Sequence, residues 1–171
     1  DWSMMWRLAE ECRAPNCMIT EQYRMHPEIC QWPSKRFYQD QLITAKSLSF
    51  HNTHATGLQR PYAFYAMEGV DNKEQRQGNS VLNHKESDYV TAIVKKIRDT
   101  DKRSSIGVIT FYEAQRAKIE RSIFTVSKEL CNSVKCSTVD GFQGDECDII
   151  IISFVRSNPK NTVGFLSDFR R

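Results

Sequence analysis

No phosphate loop of the form G-x-x-x-x-G-K-[S/T] occurs in these 171 residues, so the chain has no glycine cradle and lysine of its own for a nucleotide's phosphates. No C-x-x-C pair occurs either. Cysteines stand at 12, 17, 30, 131, 136 and 147, and neither Cys12/Cys17 nor Cys131/Cys136 is flanked by a histidine pair. That spacing disfavours zinc and, with no secretory signal in the sequence, predicts reduced, inert thiols in the nucleus or cytoplasm. No hydrophobic run is long enough to span a bilayer, so no membrane partner is expected. There is no internal repeat, no low-complexity tract and no strong charge excess. A net charge of +3 and a pI near 8.5 permit a nucleic-acid partner without predicting one. With 40% hydrophobic residues the chain can bury one core, and a single domain over 1–171 is expected.

What is present is concentrated in a few blocks. From Thr138 to Asn158 the chain reads T-V-D-G-F-Q-G-D-E-C-D-I-I-I-I-S-F-V-R-S-N. Ile149, Ile150, Ile151, Ile152, Phe154 and Val155 form a run typical of a parallel-sheet strand covered on both faces. Gly141 and Gly144 permit tight turns or close approach of a ligand. Around them, Thr138, Asp140, Gln143, Asp145 and Glu146 supply hydroxyl, amide and carboxylate groups. The same residue types also suit an ordinary turn before a strand.

A second block, T-E-Q-Y-R-M-H-P-E-I-C-Q-W-P, runs from Thr20 to Pro33. Pro27 suits the first turn of a helix, and Glu28 suits the positive end of its dipole. Tyr23, Arg24 and His26 therefore precede a helix N-terminus, where an anion is favoured. Arg24 adds a planar fork matched to phosphate oxygens, or pairs at the surface with Glu21 or Glu28.

Alternating helices and strands are predicted along the chain. The elements are a helix over Met4 to Arg13, a short strand over Cys17 to Thr20, and a helix over Pro27 to Gln39. Polar or charged surface connections from Thr44 to Leu58 and Asp71 to Asn83 bracket a strand-like P-Y-A-F-Y-A-M. A helix over Asn83 to Arg98, a buried strand over Ile106 to Thr110 and a helix over Tyr112 to Phe124 follow. In open parallel sheets ligands bind beyond the carboxyl ends of strands, which places Thr110, Phe111 and Tyr112 beside Thr138. Phe111 either stacks on bases or packs under the next helix.

Four blocks, in order, carry a resemblance: Q-Y-R-M-H-P at Gln22 to Pro27, I-G-V-I-T-F-Y-E-A-Q at Ile106 to Gln115, T-V-D-G-F-Q-G-D-E at Thr138 to Glu146, and V-G-F-L-S-D-F-R-R at Val163 to Arg171. The chain resembles the second RecA-like domain of superfamily-one helicases of the senataxin and nonsense-mediated-decay type. The W-S-M-M-W-R-L opening looks like the short helix preceding Q-Y-R-M-H-P in such proteins.

That resemblance implies an α/β RecA-like fold, a mostly parallel sheet sandwiched by helices, ending within the last helicase motif. It implies half of an ATP-dependent helicase or translocase on single-stranded RNA or DNA, with ATP and Mg2+ held mainly by a first RecA-like domain. By resemblance, Arg24 is an arginine finger and Tyr23 lies against base or ribose. Gln143, Gly144 and Glu146 line the nucleotide's edge, Glu146 toward ribose or phosphate-linked water. Thr110, Thr138 and Asp140 face the nucleic-acid channel, and Arg170 and Arg171 order the interdomain face. The alternative is a catalytically degenerate, helicase-derived binding module, decided by whether a phosphate loop lies upstream.

Overall fold

The computed structural model describes residues 3–48, 61–67 and 72–167. They fall into two units, 1–50 and 51–171.

The smaller unit opens with α1 (Met4–Trp6), capped by the Ser3 hydroxyl and continued by a π-helical turn over Arg7–Glu11. Strand β1 (Glu21–Gln22) pairs in parallel with β2 (Ile43–Thr44), joined by α2 (Pro27–Phe37). The predicted strand at Cys17 to Thr20 is thus displaced to Glu21 and Gln22, because the ladder is fixed by its partner: Ile43 N–H donates to the Thr20 carbonyl at 2.7 Å and Ala45 N–H to that of Gln22 at 3.0 Å. Helix α2 starts as Pro27 predicts. The His26 side chain caps it through Nδ1, which accepts from Glu28 N–H at 3.2 Å.

The larger unit contains a hairpin, β3 (Gln75–Gln77) and β4 (Ser80–Leu82), where the charge-rich sequence predicts only a connection. Its two-residue loop begins at Gly78, whose φ of +59° suits the first central position of a type II′ turn. β3 is exposed throughout, so it carries no apolar alternation to betray it. Residues 61–67, predicted strand-like, form no strand. The Thr44 to Leu58 connection lies partly outside the described residues.

Helix α3 (His84–Thr100) is capped by Asn83, whose Oδ1 accepts from Glu86 N–H at 3.1 Å, and buries Ser87, Val90, Thr91, Val94 and Ile97 on one stripe. β5 (Ile106–Thr110) leads into α4 (Glu113–Val126), whose first turn takes a hydrogen bond from Ala114 N–H to the Ser80 hydroxyl at 3.1 Å. A short α5 (Lys128–Asn132) precedes β6 (Val134–Thr138), and β7 (Ile149–Ser153) completes the sheet. All three strands run parallel in the order β6-β5-β7, with Val108 opposite Cys136 and Ile151.

The α/β class and helix-flanked parallel sheet follow the sequence. Val90, Val94, Ile97, Ile106, Val108, Ile119, Ile123 and Leu130 form the core, with Val134, Cys136, Ile149 and Ile151 packed against it. The β7 run departs from expectation. Ile149 and Ile151 face this core, while Ile150 and Ile152 are 40% and 49% exposed on the other face. A period-2 pleat separates neighbours that the unbroken β-branched run makes look equivalent. On that second face Gly107 has no room for a side chain: a Cβ would lie 2.9 Å from both Ile150 Cδ1 and Phe142 Cζ.

At the carboxyl end of the sheet the fully buried Gln115 amide joins three elements. Its Oε1 accepts from Asn83 N–H at 2.8 Å, and its Nε2 donates to the Asn83 carbonyl at 3.3 Å and the Ser153 hydroxyl at 3.0 Å. Gln115→Leu strands these groups without solvent, each at about 1–3 kcal/mol. Chemical denaturation should show the domain destabilised by at least that much, while Arg121→Ala, on the exposed side of α4, should leave it unchanged within about 0.5 kcal/mol.

Candidate functional site

The turn between β1 and α2 presents Tyr23 and Arg24, both exposed. Tyr23 is 62% exposed, and its phenol hydrogen-bonds to the Glu21 carboxylate. That bond, and the carboxylate's charge, push the phenol above its ordinary value of 10.0. Beneath them lies Gln22. Its Nε2 donates to the Met25 carbonyl and to the Thr44 hydroxyl, both at 2.7 Å, while its Oε1 accepts from Arg24 N–H and Met25 N–H, both at 2.9 Å.

In the larger unit, the predicted residues gather at the carboxyl ends of β5 and β6. Thr138 closes β6, and its hydroxyl accepts from Gly141 N–H at 3.2 Å, starting a 3₁₀ turn over Asp140–Phe142. A Cβ on Gly141 would come within 2.7 Å of the Ser137 hydroxyl, so a larger residue there would have to push that side chain aside. Phe142 is buried over Gly107 and anchors the turn. Asp145 N–H then donates to the Phe142 carbonyl at 3.0 Å, Gly144 takes φ +89°, and Lys135 pairs with Asp145. Asp140, Gln143, Gly144 and Glu146 stand exposed on this loop.

Thr110 is the exception. Its side chain is 1% exposed with its hydroxyl unpartnered, because residue 110 shares the helix-facing side of β5 with Ile106 and Val108. What it offers the neighbouring loop is its carbonyl, which accepts from Val139 N–H at 3.0 Å. Tyr112 is buried in a second cluster with Val81 and Val155; half-buried Phe111 packs on that cluster and lays its ring 5.9 Å from that of Phe154. Arg170 and Arg171 lie outside the described residues. Burial raises the thiols of Cys131, Cys136 and Cys147, with Cys136 reaching about 12, as suits unreactive cysteines.

Three features escape motif reading. The Gln22 clamp involves Thr44, 22 positions away in sequence. Glu86, in the first turn of α3, accepts from Phe154 N–H at 2.7 Å and Val155 N–H at 2.9 Å. Arg156 pairs with Glu74 at 3.0 Å and donates to the Thr162 carbonyl at 2.9 Å. A hydrophobic pattern signals none of these, because each joins a polar side chain to a polar group distant in sequence.

The family model described as "AAA domain" matches residues 1–171. Helicase sen1 of Schizosaccharomyces pombe is 33% identical over 99% of this chain and 10% of its own length. The probable helicase senataxin of Homo sapiens is 34% identical over 100% of this chain and 7% of its own. The regulator of nonsense transcripts 1 homolog of Arabidopsis thaliana is 37% identical over 88% of this chain and 13% of its own. The chain spans about a tenth of the length of these curated relatives. It belongs to this AAA domain family, the C-terminal region of superfamily-one helicases of the senataxin and nonsense-mediated-decay type.

The Tyr23 geometry makes a pH prediction. A phenol whose folded value is raised contributes stability below its unfolded value, and that contribution is lost as pH rises through the raised one. Glu21→Gln should therefore bring the phenolate absorbance transition of Tyr23 down toward 10.0. An unchanged transition would show that the Glu21 contact does not persist in solution.

Proposed function

We propose that this chain is the second RecA-like domain of an ATP-dependent helicase or translocase on single-stranded RNA or DNA, working in the nucleus or cytoplasm. The observation carrying this reading is Arg24: an exposed guanidinium on a turn held by hydrogen bonds, immediately before the N-terminus of α2, in a chain whose relatives are named helicases.

The donor set suits part of a nucleotide. A guanidinium, a phenol ring and an exposed amide match phosphate oxygens and a base or ribose. Among the described residues no group of three His, Cys, Asp or Glu could hold a metal ion. With the phosphate loop missing as well, Mg2+ and the phosphate cradle fall to a first RecA-like domain. ATP, when bound with Mg2+, supplies the γ-phosphoryl group that passes to water.

Arg24 stabilises the negative charge that develops during that transfer. Tyr23 lies against base or ribose. The exposed loop contributes the Gln143 amide, the Gly144 backbone and the Glu146 carboxylate to the nucleotide, Glu146 toward ribose or phosphate-linked water. Thr138 and Asp140 meet the backbone of the strand without reading sequence, and Thr110 supports them by holding the Val139 backbone. Because Arg24 contacts the γ-phosphate only in a closed state, ATP favours closure and hydrolysis releases it. Repeated closure moves the domains along one strand.

The test is nucleic-acid-stimulated ATP hydrolysis by the full-length protein, on single-stranded RNA and on DNA, with and without Arg24→Ala. An arginine finger accounts for about 10³–10⁵ in kcat, so the variant should lose turnover on that order while still binding the strand. Undiminished hydrolysis would remove Arg24 from this role. A wild type that binds strands tightly but hydrolyses nothing would instead be a binding module.

A further inference from the structure

We infer that Gln22 is a positioning residue: its side-chain amide fixes the backbone of Arg24 and Met25, and through it sets the rate of the step in which Arg24 acts. This rests on the reading of Arg24 given above.

A primary amide has two donors and two acceptor lone pairs. Gln22 uses all of them, at 2.7, 2.7, 2.9 and 2.9 Å, on a single turn and the strand beside it. Its orientation is fixed by the partners. Exchanging oxygen for nitrogen would face an NH2 group with two backbone N–H donors and set the oxygen against the Met25 carbonyl. The bonds divide into two kinds. Three close on Arg24 and Met25 themselves, from N–H, N–H and carbonyl, and so dictate the chain direction on both sides of the Arg24 Cα. The fourth runs to the Thr44 hydroxyl on β2 and ties the turn to the register Gln22↔Thr44.

The turn is short and bounded. Gln22 ends β1, and His26 caps α2, leaving only residues 23–25 between two fixed points. A long, flexible arginine side chain multiplies any backbone error at its root, so the turn must be held if the guanidinium is to arrive in one place. An ionised side chain could not make all four bonds: a carboxylate lacks a donor for the Met25 carbonyl, and an ammonium lacks the acceptors for the two N–H groups. A misplacement near 1 Å at a catalytic group costs on the order of 10²-fold in rate.

The experiment is a double-mutant cycle in the full-length protein, with kcat, the KM for ATP and strand affinity measured for Gln22→Leu, Arg24→Ala and the pair. Gln22→Leu should lower kcat at least about tenfold, and up to about 10²-fold, with KM and strand affinity within about twofold. On the Arg24→Ala background it should cost nothing further. Amide hydrogen exchange at Arg24 and Met25 should accelerate in Gln22→Leu. Gln22→Glu, which keeps both accepted bonds, should retain more kcat than Gln22→Leu, and it replaces the leucine variant in the cycle if that variant does not fold. The inference is overturned if kcat is unmoved in Gln22→Leu, or if the loss repeats in full on the Arg24→Ala background, which would mark a purely structural residue. Arg24→Ala with wild-type turnover would instead remove the reading of Arg24, and with it any path from Gln22 to the rate.

Discussion

The bonds from the Gln115 side chain to the Asn83 backbone and the Ser153 hydroxyl govern most of what surrounds the sheet's carboxyl end. All three residues are fully buried, so each polar atom must find a partner inside the protein. Gln115 lies on α4, Asn83 starts α3 and Ser153 ends β7, and mutual satisfaction holds those three points at fixed separations. Since Asn83 also caps α3, the first turn of that helix is placed by the same bonds. Glu86 then reaches the Phe154 and Val155 N–H groups. Its carboxylate supports a turn few sequences adopt: Val155, β-branched and buried, sits at φ 72° with Arg156 N–H bonded to the Phe154 carbonyl at 2.8 Å. A γ-turn of that hand is strained, on the order of 1–3 kcal/mol, and persists only where its surroundings over-determine it. Arg156 is thereby aimed between Tyr112, Glu74 and Thr162. Gly164 sits at φ +63°, a backbone conformation in which any other residue is strained. The path of the chain from β7 to the last block thus descends from an amide on a different helix.

The sequence reveals this architecture where periodicity and caps speak together. The stripe from Val90 to Ile97 with Asn83 before it, and the Ile106 to Thr110 run followed by a helix, are legible because apolar spacing and local chemistry agree. The β3/β4 hairpin is not, because its first strand is polar on both faces and only the turn at Gly78 betrays it. β1 is misread by a few residues for a related reason: two-residue strands have no pattern, and a parallel partner 22 positions away decides where the ladder forms. The β7 run shows a third kind of failure. Four isoleucines in succession erase the alternation that would distinguish core from open face.

The candidate site divides along the same line. Residue types and order identify Tyr23, Arg24, Thr138 and the Gln143 to Glu146 loop as chemistry-bearing, and each of these except half-buried Thr138 is exposed at a strand end or helix start. Which way a side chain turns is another matter. Thr110 stands in the right place on the chain but on the inward face of its strand, a fact fixed by whether 106 or 107 begins the buried set. The supports are the least legible part. Gln22, Phe142 and Glu86 act through distant partners, and a single sequence does not record distance.

One regularity joins the two units, each considered alone. Positioning falls largely to neutral amides: Gln22 lies beneath the exposed Arg24, and Gln115 ties the start of α3 to the end of β7. Physical chemistry favours this division. An amide offers donors and acceptors together and avoids the large desolvation cost of burying an ion, so it can bind N–H and carbonyl groups of one turn at once. Its bonds are short-ranged and insensitive to ionic strength, whereas interactions among exposed charges are screened within about 10 Å at moderate salt. The contacts of exposed charges can therefore weaken or strengthen with the medium without disturbing the backbone that carries them. The division leaves a surface whose contacts can be broken and remade while the shape of the loop beneath them is kept.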